Sequence, residues 1–305
     1  RDFCLSRGLG DVYKRQVVCF ALATVYLLSV RTVRKESDMK RITSARCINC
    51  IPEVVPKKRS NNKKLKLLIT NKRIDWGFKQ SILMIQSRLQ QIMRRTGDKV
   101  LLITSTIPAE GKTMTSVNMA LAFAQEGMKV ALLDGDLRKP SVSELMKLPE
   151  GPGLTEYFRG ESTPEEIQVV KDGVTFFRAG QKKGKVSGLI DEEKMNSLLE
   201  KLRKEYDVIL MDAAPSYVFS DAMILSSYAD KVLYVVRVDK ADAKEIRVGM
   251  NSFEEKEKLI GYVINRDTGG YISQSGYGYG RYGKYQKYRK YAELDEETMN
   301  TEDTL

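Results

Sequence analysis

Three short stretches of this 305-residue chain bring together the residue types that phosphate chemistry requires. The first is Thr106-Ile-Pro108-Ala-Glu110-Gly111-Lys112-Thr113-Met114, which follows the apolar run Val100-Leu-Leu-Ile103 and opens a helical pattern. A loop between a strand and a helix N-terminus is a phosphate cradle, because backbone N–H groups and the helix dipole both favour anionic oxygens. In such a cradle Lys112 reaches the β- and γ-phosphates of a nucleotide and the Thr113 hydroxyl ligates Mg²⁺. Pro108, Glu110, Gly111, Lys112, Thr113 and Met114 are therefore expected to line the nucleotide. The position usually held by the first glycine carries Thr106.

Two carboxylate stretches complete the set. One apolar run ends in Leu-Leu-Asp134-Gly-Asp136-Leu-Arg138-Lys-Pro140, and a later one ends in Met-Asp212-Ala-Ala-Pro215. Carboxylates at the C-terminal ends of parallel strands face the ligand crevice. Asp212 reads as the Walker B residue, holding Mg²⁺ directly or through water. Asp134 and Asp136 either join the metal shell or accept a proton from a hydroxyl. Loop capping is the plain structural alternative for all three.

Composition narrows the chemistry further. The chain has no histidine, which excludes Ser-His-Asp and Cys-His catalysis and any His-ligated metal. Of its four cysteines, Cys4, Cys19, Cys47 and Cys50, only Cys47-Ile-Asn-Cys50 has ligand-like spacing, and no second pair completes a tetrahedral site. The formal net charge is +11, pointing to an acidic partner such as phosphates or an anionic membrane face.

The elements that must position these residues follow from hydropathy. Residues 76–95 have helical spacing, with Phe78, Ile82, Ile85, Leu89 and Ile92 on one face. Apolar runs at 100–103, 130–133, 174–177, 208–211, 232–236 and 259–264 alternate with helical stretches at 113–126, 191–204, 220–228 and 241–256. That alternation predicts an α/β domain over residues 76–266, a parallel sheet with helices on both faces.

The flanks differ in character. Asp11-Val-Tyr-Lys-Arg-Gln16 resembles a translated sequencing adaptor, so residues 1–16 are set aside from fold reasoning. The uncharged run 17–30 falls short of the roughly 20 residues a bilayer span needs, and reads as the remnant of a transmembrane helix. Residues 31–75 hold fourteen Lys and Arg against four Asp and Glu, the pattern of a solvated juxtamembrane linker on the cytoplasmic side, attracted to anionic lipid. Residues 267–305 form a flexible tail, with seven tyrosines between Tyr271 and Tyr291 before an acidic end.

The order of P-loop, Leu-Leu-Asp134-Gly-Asp136-Leu-Arg138-Lys-Pro140, Tyr206-Asp-Val-Ile-Leu-Met-Asp212-Ala-Ala-Pro215 and terminal tyrosine cluster resembles the bacterial tyrosine kinases of capsule and exopolysaccharide export. Gly153-Leu-Thr-Glu-Tyr-Phe158, Arg178-Ala-Gly180 and Ser220-Asp221-Ala222 resemble that family too. The resemblance implies a P-loop NTPase fold and ATP·Mg²⁺-dependent autophosphorylation on tyrosine, regulating polysaccharide chain length, polymerisation or export. It implies that Lys112, Asp134, Asp136 and Asp212 are catalytic, that Thr113, Asp134 and Asp212 hold the metal, and that Arg138 lies in the nucleotide site. Asn265 stands where related P-loop ATPases contact adenine. Tyr277, Tyr279, Tyr282, Tyr285, Tyr288 and Tyr291 are the implied acceptors. The implied partners are ATP, neighbouring copies of the chain, membrane lipid and the polysaccharide polymerase and export machinery, at the cell membrane with the kinase domain in the cytoplasm. Nucleic acid is not expected, although a tyrosine-rich basic tail has the composition of a single-strand stacking platform.

The sequence departs from the family at three places. The helix motif Glu-x-x-Arg-x-x-Arg, which docks on the neighbouring subunit, is matched by Gln80-Ser-Ile-Leu83-Met-Ile-Gln86, without charge. Ala109 replaces a common loop glycine, and Ala214 a proline. Two other readings are an ATP-binding copolymerase with weak transfer activity and a ParA/MinD-type ATPase. The latter group carries a lysine early in its P-loop, and Ser105–Glu110 contains none.

Overall fold

A computed structural model describes residues 12–22, 24, 32–54, 67–181 and 188–267. Residues 12–22 belong to a first helix, α1, exposed along its described length and running across the boundary drawn at residue 16. No described helix is long and apolar enough to cross a membrane. The apolar run 17–30 is described only in part, and the tyrosine-rich and acidic tail lies outside the described residues.

The apolar runs become strands of one eight-stranded sheet: β1 (Cys47–Pro52), β2 (Val100–Ser105), β3 (Val130–Asp134), β4 (Gln168–Lys171), β5 (Val174–Phe177), β6 (Val208–Asp212), β7 (Lys231–Arg237) and β8 (Leu259–Asp267). Their order across the sheet is β1-β8-β7-β2-β6-β3-β5-β4. All neighbours are parallel except β4 and β5. That exception is a hairpin in which Asp172 (φ 49°) and Gly173 (φ 78°) form the two-residue turn that Asp-Gly favours.

Because side chains alternate across a strand, each run feeds two cores. Val100 and Leu102 face one cluster, with Leu198, Leu202, Leu225 and Phe253. Leu101 and Ile103 face the other, with Phe78, Ile82, Val117 and Phe123. Helices cover both sides: α3 (Trp76–Thr96) and α4 (Lys112–Gln125) over the second cluster, and α7 (Glu192–Glu205), α8 (Asp221–Tyr228) and α9 (Ala243–Glu254) over the first. Short helices α2 (Glu36–Met39), α5 (Val142–Met146) and α6 (Leu154–Arg159) fill the connections. Within α3, Phe78, Ile82, Ile85 and Leu89 are buried as the spacing predicts, while Met93 takes the core position and Ile92 is only partly buried.

The basic stretch 31–75 contributes more structure than a solvated linker. Residues 47–52 pair in parallel with β8 as the sheet's edge strand, with Ile48, Cys50 and Ile51 buried. Arg88 donates to the Ile48 carbonyl and the Asn49 amide donates to the Ser81 carbonyl, so α3 fastens this strand from its flank. Upstream, Val33 and Met39 are buried and Thr32 bridges to Asp242. Downstream, the buried Asn118 of α4 receives the Ile69 N–H and donates to the Leu67 carbonyl. Cys47 and Cys50 are free thiols on β1, Cys50 within the core. Lys57–Lys66, where the basic charge is densest, lies outside the described residues.

Candidate active site

The parallel strands deliver their C-terminal ends to one edge, and there β2 passes into the P-loop and α4. Gly111 caps α4 at φ 98°, and a Cβ added there would sit 2.1 Å from Asn265 Nδ2. The position therefore requires glycine for both conformation and space. Ala109 adopts φ 68°, the left-handed region that explains why glycine is common there and costs about 1 kcal/mol for alanine. Pro108 and Ala109 form the exposed tip of the loop, and Met114 is partly buried beneath it.

Glu110 points inward, into the fold. Its buried carboxylate accepts from Ile107 N (2.8 Å) and Arg237 N (3.2 Å), bracing the loop against the end of β7. Burial raises its pKa to about 7, against the lowering effect of those N–H groups. Arg237 also donates to the Ala109 carbonyl at 3.1 Å. Asn265, at the end of β8, donates to the Glu110 carbonyl (2.7 Å) and accepts from Arg266 N (2.9 Å). Here it is a strut of the phosphate loop, with both ends of its amide engaged.

Behind the loop, Lys112, Thr113 and Ser116 share one face of α4, as residues three and four apart must. Lys112 Nζ lies 2.7 Å from Asp136 Oδ2 and 3.4 Å from Asp212 Oδ2. The Thr113 hydroxyl donates to Asp212 Oδ2 at 2.6 Å and the Ser116 hydroxyl to Asp212 Oδ1 at 2.9 Å. Asp134 accepts from Val142 N through Oδ2 (3.2 Å), but its buried Oδ1 has no hydrogen-bond partner. Asp136 Oδ1 accepts from Lys139 N at 3.0 Å. The predicted lysine, threonine and three aspartates thus meet at one point.

The electrostatics show what this cluster lacks. Burial, then the neighbouring Asp212 charge, pushes the Asp134 pKa well up, and burial raises Asp212 too. Burial alone would lower the Lys112 pKa, but the charges of Asp212 and Asp136 outweigh it and raise it. Three carboxylates around one ammonium, one oxygen orphaned, and a hydroxyl at the same point form a donor set suited to a hard divalent cation. The chemistry of these oxygen donors suits Mg²⁺.

Arg138 is engaged within the protein. Its Nε donates to Asp221 Oδ2 and its Nη2 to Asp221 Oδ1 (3.1 Å), while the guanidinium stacks over the Phe219 ring, 4.5 Å from the centroid. Ser116, Arg237 and this use of Asp221 lie outside the sequence motifs. Ser116 was within reach, being one helical turn beyond Lys112 and Thr113.

At Ala214 the exchange for proline leaves the carbonyl in use, accepting from Thr104 Oγ1 at 2.8 Å. In α3, Gln80 is exposed, Leu83 is partly buried, and Gln86 is buried and bonded to Gln90.

Comparison with known proteins decides what kind of P-loop protein this is. Residues 97–241 match the family profile described as ParA, NUBPL iron-transfer P-loop NTPase. The chain is 34% identical over 184 residues to the tyrosine-protein kinase CpsD of Streptococcus pneumoniae, covering 56% of this chain and 78% of that protein. It is 32% identical over 185 residues to the tyrosine-protein kinase YwqD of Bacillus subtilis, with 59% and 77% coverage. The chain belongs to the bacterial tyrosine-protein kinase family. Among solved structures, the kinase domain of the Escherichia coli tyrosine kinase ETK superposes with a TM-score of 0.65 at 26% identity, covering 72% of this chain and 90% of that one. Other members are much longer. The chain matches only 27% of the length of the tyrosine-protein kinase ptk of Acinetobacter johnsonii, at 27% identity over 63% of its own residues.

Proposed function

We propose that this chain is an ATP·Mg²⁺-dependent protein-tyrosine autokinase that regulates capsule or exopolysaccharide polymerisation or export at the cell membrane. The observation that carries the reading is the convergence of Lys112, Thr113 and Ser116 from one helix with Asp134, Asp136 and Asp212 from two strand ends. The ParA-type profile match covers the nucleotide-binding core that both groups share, and the lysine-free stretch Ser105–Glu110 favours the kinase reading.

The backbone N–H groups of residues 109–114 bind the phosphates, and Lys112 turns from Asp136 toward the β- and γ-phosphates. Mg²⁺, when bound by Thr113, Asp134 and Asp212, supplies charge neutralisation at the phosphates. A tyrosine phenol, with pKa near 10, needs a base to attack phosphorus. Asp136 Oδ2, released by Lys112, takes that proton. The new bond joins the phenol oxygen to the γ-phosphorus, the bond to the β-phosphate oxygen breaks, and ADP leaves. The acceptors are Tyr277, Tyr279, Tyr282, Tyr285, Tyr288 and Tyr291, presented by neighbouring copies of the chain. The basic residues upstream meet anionic lipid, and the polysaccharide export machinery is the regulated partner.

Intact-mass measurement after incubation with ATP and Mg²⁺ tests this. Successive gains of about 80 Da, one per phosphate, mapped to residues 277–291 and absent in Lys112→Met, are expected. Wild type that binds ATP yet gains no mass would overturn the kinase reading in favour of an ATP-binding regulator.

A further inference from the structure

Arg138 and Asp221 are 83 residues apart in sequence, yet the structure joins them by a two-point ion pair. Asp221 is buried and Arg138 partly buried, the Arg138 guanidinium is stacked on Phe219, and Asp221 is the first residue of α8. We infer that Asp221 and Arg138 are positioning residues for phosphoryl transfer, holding the 135–140 loop so that Asp136 stays over Lys112, and that Arg138 is not a nucleotide contact. The inference rests on the kinase reading for its reaction but not for its geometry.

The loop that carries Asp136 is pinned at three places. Gly135 N donates to the Asp212 carbonyl at 2.8 Å, and a Cβ at Gly135 would lie 3.0 Å from that same oxygen. Leu137 is buried in the core beside Leu225 and Ala222 of α8. Arg138 then closes the far side on Asp221. Asp136 lies between the first and second pins, and just past the third Lys139 N reaches back to Asp136 Oδ1 at 3.0 Å. Asp136 is therefore held from its own backbone side, while its other oxygen is left for Lys112 and then for the incoming proton.

A guanidinium committed to a carboxylate through both Nε and Nη2 and covered on one face by an aromatic ring is a preorganised fork. Its energy goes into fixing a loop. Aspartate is required at position 221 because two parallel acceptors must meet the two donors, and the α8 N-terminus adds a favourable dipole for that carboxylate. Shifts of about 1 Å in a reacting group cost on the order of 100-fold in rate. Nucleotide affinity depends instead on the P-loop backbone and Lys112, which this pair does not touch.

The test uses the full chain with Arg138→Gln, Arg138→Lys, Asp221→Asn and the Arg138→Gln/Asp221→Asn double variant, each checked for an intact fold by thermal melting. Arg138→Gln and Asp221→Asn are each expected to lower kcat for tyrosine phosphorylation by about 10- to 100-fold. The KM for ATP and the Kd for a fluorescent ATP analogue should stay within about twofold of wild type. The double variant should be no slower than the worse single, as for one shared interaction. Arg138→Lys should recover part of kcat. Hydrogen exchange of the 135–140 peptide should accelerate equally in both single variants. A tenfold or larger loss of analogue affinity in Arg138→Gln with Asp221→Asn near wild type would overturn the inference and make Arg138 a nucleotide ligand. Unchanged exchange in the loop would overturn it too. If wild type transfers no phosphate, the kinase reading fails on its own, and the exchange and affinity measurements still decide the role of the pair.

Discussion

Two aspartates at opposite ends of the same sheet have opposite fates. Asp230 sits where the strands begin, its Oδ2 receiving Lys99 N and Val100 N at 2.8 Å and Arg203 Nη1 at 2.9 Å, its Oδ1 receiving Arg203 Nη2 at 2.6 Å. Burial alone would raise its pKa, but Arg203 and the two N–H groups bring it below the ordinary carboxylate value. Asp134 sits where the strands end, deeper, beside two other carboxylates, with one oxygen unpartnered and its pKa driven up. The first carboxylate is satisfied by the fold and stabilises it. The second is left unsatisfied at a cost in stability, and that deficit is what a cation and phosphates would relieve.

The sharpest way to break this contrast is Asp134→Asn. It is expected to lower phosphorylation by about 1,000-fold, comparable with loss of a preorganised charge in other active sites. The same change should raise the unfolding midpoint of the nucleotide-free protein, because it relieves the cost of burying a carboxyl against Asp212 and Asp136. Kinetics with a urea melt on one preparation check both, and loss of stability would rank Asp134 with Asp230.

Glu110 tests the same idea through pH. Its folded pKa, about 7, lies above the ordinary value of 4.5, so the folded state holds the proton more tightly. Stability from this group is full below about pH 4.5 and is lost as pH rises through 7, by about 3 kcal/mol at most. The difference between wild type and Glu110→Gln in urea melts should therefore change across pH 5 to 8 and flatten above. A difference independent of pH would mean that the carboxylate is ionised in the fold throughout.

The smallest effect is expected at the other end of the sheet. Asp230→Ala should destabilise by about 2 kcal/mol through Arg203 and two uncapped backbone N–H groups, leaving kcat unchanged once the protein is folded. A fall in kcat at full folding would show that the strand starts are coupled to the site.

Much of this arrangement was legible in the residues themselves. Buried parallel strands are continuous apolar runs, so β2, β3, β5, β6, β7 and β8 announced themselves. The P-loop and the three aspartates stood at their ends. β1 did not, because its four buried residues include Asn49 and Cys50, and lie within a strongly basic stretch where charge outweighs hydropathy. β4 is half-exposed, and only the Asp172-Gly173 turn pointed to it. The Arg138–Asp221 pair and the bracing of the P-loop by Glu110, Arg237 and Asn265 link residues 83 to 155 positions apart. No local pattern encodes such pairings.

β1 lies upstream of residue 76 and closes one edge of the sheet. β8 carries Tyr262, Val263 and Ile264, all buried, and among the described residues its outer edge is paired with the six residues of β1. A chain cut at residue 76, where the apolar periodicity starts, would bare a long, flat, hydrophobic strand edge, the template on which proteins stack into aggregates. The short strand hidden in a basic stretch thus serves as a solubility guard for the whole catalytic sheet.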